Sequence, residues 1–342
     1  MARHCVYSRV LLMVAEGIMK TEESLSVSAC LICKRDSLEP SGSTLDLGEV
    51  LTRWEKEVGV TFSSSVWQEY DSPQTRLVAL YRCSNCGFSM FLPSRAGSQE
   101  FYSAISERNT YYVAEKWEFK EAFKDLKKHN VRRVLDIGCG NGYFLDLLRE
   151  RCLAVECAGY EFNSQMATQA RTKGHRVYDG RFPECLSPVF QDAPFDAICL
   201  FQLLEHVSDP VALIKDALRL LAPKGILIIG VPDAGGPLRH FSSALTEIPP
   251  HHVSRWYESV FRLGMTHQGF RIIRMAHEPL PFYLWSSYLP VMVGKDILPS
   301  VIGKALNRTG TTRLLINLLM ASGIKVLHGV PGHTLYVVLK RA

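Results

Sequence analysis

Three glycines at alternate positions, Gly138, Gly140 and Gly142, lie between an apolar run and a stretch with helical spacing. The run before them, 131–137, is rich in valine, leucine and isoleucine, as a buried parallel strand would be. A strand, a tight glycine turn and a helix N-terminus leave backbone N–H groups facing a ligand, with no side chain in the way. The pattern predicts a loop that binds a nucleotide-like molecule. The alternative is an ordinary strand–helix turn.

Asp136, two residues before Gly138, discriminates among such ligands. A carboxylate here would repel the pyrophosphate of a dinucleotide. S-adenosylmethionine (SAM) has no phosphate and carries an ammonium and a sulfonium, both of which an acid attracts. A second acid, Glu161, lies 19 residues after Gly142, where a βαβ unit places a carboxylate on ribose hydroxyls. These residues favour SAM over NAD.

Two Cys-x-x-Cys pairs, Cys30 with Cys33 and Cys83 with Cys86, have the spacing of zinc knuckles. That spacing lets both sulfurs of a pair reach one metal ion, and four thiolates complete a tetrahedral shell. We therefore expect a structural Zn²⁺ site. A metal-free remnant or a redox pair are the alternatives.

From about 110 to 278 the chain resembles the class I SAM-dependent methyltransferases, because the glycine loop, the acids and the apolar runs follow in that family's order. The Leu-Glu-His-Val tract at 204–207 is typical of the branch with ubiquinone- and sugar-modifying enzymes. The resemblance implies that Asp179, after a third short strand, contacts adenine. The SAM-binding residues expected from the motifs and the resemblance together are Asp136, Gly138, Cys139, Gly140, Gly142, Glu161, Asp179 and Phe201.

Two histidines are candidate catalytic residues. In the resembling enzymes a histidine recurs beside the acceptor pocket just before a helix, and His252, next to His251, fits that position. His206 is the second candidate. An oxygen or activated-carbon nucleophile must lose a proton, which a histidine of near-neutral pKa can accept. A purely structural role remains the alternative for both.

Alternating strands and helices predict an α/β fold with a doubly wound, mostly parallel, Rossmann-like sheet. The resemblance implies seven strands, the antiparallel seventh at the sheet edge. The expected divisions are a tail (1–29), a zinc-ribbon-like head (30–95), a linker and first helix (96–130), the SAM-binding core (131–278), an apolar helical insertion (279–332) and the last strand (333–342).

The insertion 279–332 combines aromatic residues with scattered basic ones. It could be a lid over an apolar acceptor, a homodimer surface or a peripheral contact with the inner face of a membrane. A helical hairpin that only extends the core is the plainer alternative. The uncharged run 279–294 is too short to span a membrane, and the apolar part of 1–20 is too short for a signal peptide.

Composition agrees with a globular enzyme of the cytoplasm. The chain has 342 residues, 47% of them hydrophobic, and a net charge of +5 that is mild for a nucleic-acid binder. Its ten cysteines form no disulfide framework. We expect a SAM-dependent methyltransferase acting on oxygen or carbon of a small-molecule, sugar or lipid-linked acceptor. The alternatives are an RNA methyltransferase with a zinc head and a non-catalytic SAM-fold scaffold.

Overall fold

The computed structural model describes residues 29–106, 113–151, 155–180, 182–183, 185, 194–297, 306, 311–322, 324 and 326–342. Nearly all of the predicted tail 1–29 therefore lies outside the described residues, as do the basic positions 304, 308 and 325 of the insertion.

Eleven strands and ten α-helices follow one another along the described residues. The strands are β1 (Leu38–Asp46), β2 (Leu77–Cys83), β3 (Ser89–Leu92), β4 (Arg133–Ile137), β5 (Glu156–Tyr160), β6 (Val177–Tyr178), β7 (Phe195–Phe201), β8 (Leu221–Pro232), β9 (Ser254–Arg255), β10 (Phe270–Pro281) and β11 (Val326–Arg341). The helices are α1 (Leu47–Arg53), α2 (Ser64–Gln68), α3 (Pro73–Arg76), α4 (Gln99–Ser106), α5 (Trp117–Lys128), α6 (Tyr143–Glu150), α7 (Ser164–Thr172), α8 (Pro210–Leu220), α9 (Trp285–Met292) and α10 (Thr311–Ala321).

The main sheet has seven strands in the order β10-β11-β8-β7-β4-β5-β6. Strands β4 to β8 pair in parallel, and β11 is antiparallel to both of its neighbours. This architecture confirms the predicted doubly wound α/β fold. The predicted edge position of the antiparallel strand is wrong, because β11 lies between β10 and β8. Its run Leu335–Leu339 is fully buried, as expected of a strand covered on both faces.

Helix α8 has a capped N-terminus and ends where the next strand begins. Pro210 occupies its first turn, and the Asp209 side chain accepts the Ala212 N–H at 2.9 Å, as an N-cap should. The helix ends at Leu220, and the next residue, Leu221, already pairs with Phe195 in the sheet.

A second sheet of four strands, in the order β1-β2-β3-β9, contains both cysteine pairs at its margin. Its fourth strand, β9, comes from the region after the main-sheet strand β8. The two sheets also share one hydrophobic core, in which the Phe88 ring meets Trp256 at 5.2 Å. Gln268 donates to the Ile32 carbonyl at 2.7 Å. The predicted head is thus packed onto the methyltransferase-like core.

Strands β10 and β11 extend into the predicted insertion, because Pro281 still pairs with Val326. The segment between them therefore narrows to 282–325. Its helices α9 and α10 enclose a small core that includes Trp285, Tyr288 and Ile316. Among the residues described, no helix is long and apolar enough to cross a membrane.

Candidate functional site

The glycine loop between β4 and α6 has a backbone that only glycine adopts easily. Gly138, Gly140 and Gly142 have φ values of 80°, 54° and 86°, in the left-handed region. A Cβ at Gly142 would lie 2.9 Å from the His175 ring. The N–H groups of Gly138 and Cys139 donate to the Tyr160 carbonyl at 2.8 and 3.0 Å, which holds the loop against the end of β5.

Glu161 holds the same loop from the end of β5. Its carboxylate accepts the Gly140 N–H at 2.7 Å and the Asn163 N–H at 2.8 Å. It is buried, and burial raises its pKa although both hydrogen bonds oppose the rise. The side chain predicted to meet a ribose therefore also fastens the glycine loop.

Asp136, 2% exposed, is a buried acid with an unsatisfied atom. Within the part of the chain that the structure describes, its Oδ1 has no hydrogen-bond partner. Burial raises the pKa of this carboxyl to about 8, the charge of Glu161 adds to the rise, and the Lys116 ammonium opposes it. Buried polar atoms are normally paired. The orphaned oxygen and the glycine cradle together fit a ligand that carries positive charge.

Three further predicted SAM-binding residues make other contacts. The Cys139 thiol packs in a small apolar cluster beneath α7. The Asp179 carboxylate forms an ion pair with Arg171 at 2.6 Å. The Phe201 ring packs on Phe144 with centroids 4.9 Å apart. Of the three, only Asp179 has a side chain partly open to solvent.

The structure brings both candidate catalytic histidines together. His206 lies after β7, and His251 and His252 lie before β9; Val253 N–H donates to the Glu205 carbonyl at 2.7 Å and ties the two segments together. The ring centroids of His206 lie 4.7 Å from both His251 and His252, and those two stack at 4.4 Å. One ring nitrogen of each lies within 4.8 Å of the others. His251 was predicted only as the neighbour of His252.

Two buried carboxylates accompany the histidines, and neither was expected. Glu205 Oε1 lies 3.7 Å from His206 Nε2, and Glu247 Oε2 lies 3.6 Å from His252 Nδ1. Burial raises the pKa of Glu205 to about 8 and lowers those of His251 and His252 to about 3. The adjacent Glu and His in the 204–207 tract were the one sequence signal that could have revealed Glu205.

Lys116, at the start of α5, electrostatically links the glycine-loop acids and the histidine cluster. Its positive charge lowers the pKa of Asp136 and of Glu205, and it helps to lower that of His206. Lys116 therefore lies within electrostatic range of both groups. Nothing in the sequence pattern distinguished Lys116 from the other lysines of its segment.

The insertion reaches this region through α9. The Tyr288 hydroxyl lies 3.1 Å from His333 Nδ1. Glu278, on β10, accepts the His333 N–H at 3.1 Å. Burial raises the pKa of Tyr288, and the charges of Glu247 and Glu278 raise it further. Helix α9 of the insertion therefore contacts His333 of β11, which Glu278 of β10 also contacts.

Beside Glu278 is an open cavity of about 430 Å³. His277 at its wall lies 2.7 Å from Asp233 and 3.0 Å from Glu258. The hydrogen bond to Asp233 raises the pKa of His277 to about 9, with Glu258 contributing. The cavity is lined by Asp233, Gly235, Gly236, Glu258, His277, Glu278, Pro279, Gly329, Val330 and Pro331.

The four cysteines of the two knuckles converge in a separate, buried cluster. The sulfurs of Cys30 and Cys86 lie 3.7 Å apart, and those of Cys33 and Cys83 lie 3.6 Å apart. Four sulfurs about 2.3 Å from a tetrahedral zinc ion would be about 3.8 Å from one another. The spacing and the all-thiolate donor set therefore fit Zn²⁺.

Comparisons with known proteins agree on one activity. A family model described as a methyltransferase domain matches residues 106–274. The chain is 31% identical over 194 residues to a demethylmenaquinone methyltransferase of Deinococcus radiodurans, covering 56% of this chain and 72% of that protein. It is 32% identical over 100 residues to a ubiquinone biosynthesis O-methyltransferase of Idiomarina loihiensis, covering 28% and 40%.

Several other curated relatives are matched over less than half of their own length. A solved SAM-dependent methyltransferase from Archaeoglobus fulgidus is 20% identical, with a TM-score of 0.46, over 70% of this chain and all of that one.

Proposed function

The chain belongs to the SAM-dependent methyltransferases, and from that premise we propose that it methylates a hydroxyl oxygen or an activated carbon of an apolar, lipid-linked small molecule. SAM, when bound, supplies an electrophilic methyl group on a sulfonium. Most of the protein's contribution is then to hold acceptor and methyl group in line and in contact.

We propose that SAM is held by the glycine loop, Asp136 and Glu161. The orphaned Oδ1 of Asp136 supports this assignment because a cationic ligand would satisfy it. The hydrogen bond from the Gly140 N–H to the Glu161 carboxylate holds the backbone of the loop against the end of β5. Asp179 is the proposed adenine contact. To make that contact, its carboxylate must leave the ion pair with Arg171.

His252 and His206 are proposed to act on the acceptor. With pKa values far below neutrality, both imidazoles are uncharged at pH 7, so each can accept a hydrogen bond from an acceptor hydroxyl. The Tyr102 hydroxyl and the His251 carbonyl lie 3.0 and 2.8 Å from His206 Nδ1 and fix that ring. An imidazole of such low pKa is a weak base at pH 7. We therefore propose that the two histidines orient the acceptor rather than remove its proton.

The observation that carries the apolar acceptor is the exposed leucine face of α10. Leu314, Leu315 and Leu318 are 60%, 54% and 58% exposed, whereas Ile316 on the other face is buried at 4%. A run of exposed leucines marks a surface for an apolar ligand or a membrane. Helix α9 of the same insertion contacts the polar site through Tyr288. The names of two matched relatives, which refer to menaquinone and ubiquinone, point to the same acceptor class.

We also propose that Cys30, Cys33, Cys83 and Cys86 hold a structural Zn²⁺ ion. Their burial and sulfur spacing support it. Four protein ligands leave no open coordination position, so this ion would stabilise the head rather than take part in methyl transfer.

The acceptor class is tested by transfer from methyl-labelled SAM into fractionated extracts of cells that encode the protein. We expect label in the lipid fraction. We further expect the triple variant L314Q/L315Q/L318Q to keep SAM affinity and to lose more than about 10-fold in transfer, because burying one leucine provides about 1.5–3 kcal/mol. The control is L263Q, which alters a leucine 47% exposed on a different segment. Label confined to the aqueous or RNA fraction, or undiminished transfer by the triple variant, would overturn the proposal.

A further inference from the structure

The histidine cluster has distances that hydrogen bonding does not explain. His206 Nε2 lies 3.7 Å from Glu205 Oε1, and His252 Nδ1 lies 3.6 Å from Glu247 Oε2. Both separations exceed the 2.7–3.2 Å range of N–H···O hydrogen bonds. Two ligand atoms about 2.0–2.1 Å from one metal ion would be about 2.9–3.4 Å apart. A small inward movement would bring His206 and Glu205 to that separation, with Glu247 remaining beside His252.

Glu205 is unsatisfied in a way that points to a cation. It is 1% exposed, and among the described residues neither of its carboxylate oxygens has a hydrogen-bond partner. A buried carboxylate without partners is costly unless it is protonated or coordinates a metal ion. One of its oxygens lies 3.7 Å from the His206 ring, and one ring nitrogen of His206 lies within 4.8 Å of a ring nitrogen of His251 and of His252. A cation held by the three imidazoles would therefore lie close to this carboxylate.

The outer contacts of the histidines have the form seen around metal ligands. The His206 Nδ1 lies 2.8 Å from the His251 carbonyl, and the His251 Nδ1 lies 2.9 Å from the Thr246 carbonyl. Metal-binding histidines usually donate their second ring N–H to a carbonyl or carboxylate, which fixes the tautomer and directs the other nitrogen at the ion. Here two backbone carbonyls lie in position to accept such ring N–H groups.

We propose that His206, His251 and His252, with the carboxylate of Glu205, bind one divalent transition-metal ion of the Zn²⁺ or Fe²⁺ type. Imidazole nitrogens select such ions over Mg²⁺ and Ca²⁺. Glu247 lies beside His252 as an outer partner. This site is distinct from the cysteine cluster, which offers only sulfur ligands.

The metal's use in catalysis rests on the proposed function, whereas its binding does not. A Lewis acid at this position would lower the pKa of an acceptor hydroxyl bound to it. In the metal-bound protein the ion, rather than the imidazole nitrogens that hold it, would contact the acceptor hydroxyl.

Metal content measured by elemental analysis tests the site. Full-length protein is incubated with Zn²⁺ and freed of excess metal by gel filtration. We expect two equivalents per chain in the wild type and one in H252A and H206A. E205Q, which keeps the shape and removes the charge, should bind the second equivalent more than about 10-fold more weakly. H267A, which alters an exposed histidine on another segment, is the control and should retain two.

Cobalt substitution separates the two sites and reports on folding. Co²⁺ bound to the cysteines gives an intense sulfur-to-metal charge-transfer band, which the double variant C83S/C86S should lose. The histidine variants should keep that band and lose only the weaker bands of a nitrogen-ligated ion. A wild type that binds one equivalent, lost only in C83S/C86S, or an H252A protein that retains the second equivalent, would overturn the proposal. Metal binding without lipid methylation would refute the acceptor class and leave the metal site standing.

Discussion

The buried acid Asp136 should make SAM binding depend on pH. Its pKa of about 8 means that the carboxyl is protonated in the free protein at neutral pH. A ligand carrying an ammonium and a sulfonium favours the ionised form, so binding should expel a proton. The affinity for SAM should therefore rise as the pH rises toward 8, because a smaller fraction of the protein must lose the Asp136 proton on binding.

The size of the effect follows from the same value. If SAM binds only the ionised form, the apparent Kd exceeds the intrinsic one by a factor of about 1 + 10^(8 − pH), so affinity should rise about 9-fold between pH 6 and pH 7. That factor corresponds to about 1.3 kcal/mol. Nearly one proton per SAM should be released at pH 6.5. The α-amino group of SAM, with a pKa near 7.7–8.0, remains charged over most of this window.

Titration calorimetry in two buffers of different ionisation enthalpy measures both the affinity and the proton release. The variant D136N should bind SAM with little dependence on pH between 6 and 7 and without proton release. D71N, which alters an exposed acid of the head, should behave as the wild type. Equal slopes for the wild type and D136N would refute the assignment of the buried carboxyl to the SAM site.

Three other expectations concern stability. Removing the zinc ligands in C83S/C86S should lower the melting temperature and abolish the cobalt charge-transfer band, while the exposed S84A leaves both in place. R274M should lower the free energy of unfolding by about 2–4 kcal/mol in urea titration, because it removes the guanidinium that pairs with two buried carboxylates and leaves Glu121 to Lys124 and Asp125 to the Tyr336 hydroxyl; R271M, which alters an exposed residue of the same strand, should cost far less. His277, with a pKa raised to about 9, should add stability below pH 6.5, and that stability should disappear as the pH rises through 9. H277N should not show this loss of stability, whereas the control H267N should show it as the wild type does.

The parts of the site that the sequence predicted are those encoded in contiguous residues. The glycine loop follows from positions 131–142, because the apolar run, the acid and the spaced glycines all lie within that one short segment. Each cysteine pair was likewise encoded in four contiguous residues. That the two pairs converge was predicted because four thiolates complete one tetrahedral shell. The bounds of β10 and β11 were less predictable, because Pro279 and Pro281 suggested an end to the strand. Both prolines are tolerated because β10 lies at the sheet edge.

The histidine and carboxylate cluster could not be predicted because it depends on contacts between distant segments. Its two parts are 45 residues apart and meet through the hydrogen bond from Val253 N–H to the Glu205 carbonyl. Strand β9, which follows Val253 directly, joins the small sheet. The segment that carries His251 and His252 is thus attached on one side to the loop after β7 and on the other to the small sheet. Burying several ionisable groups there opposes stability, so the fold must hold them against that cost. Groups buried at such a cost are candidates for a functional site.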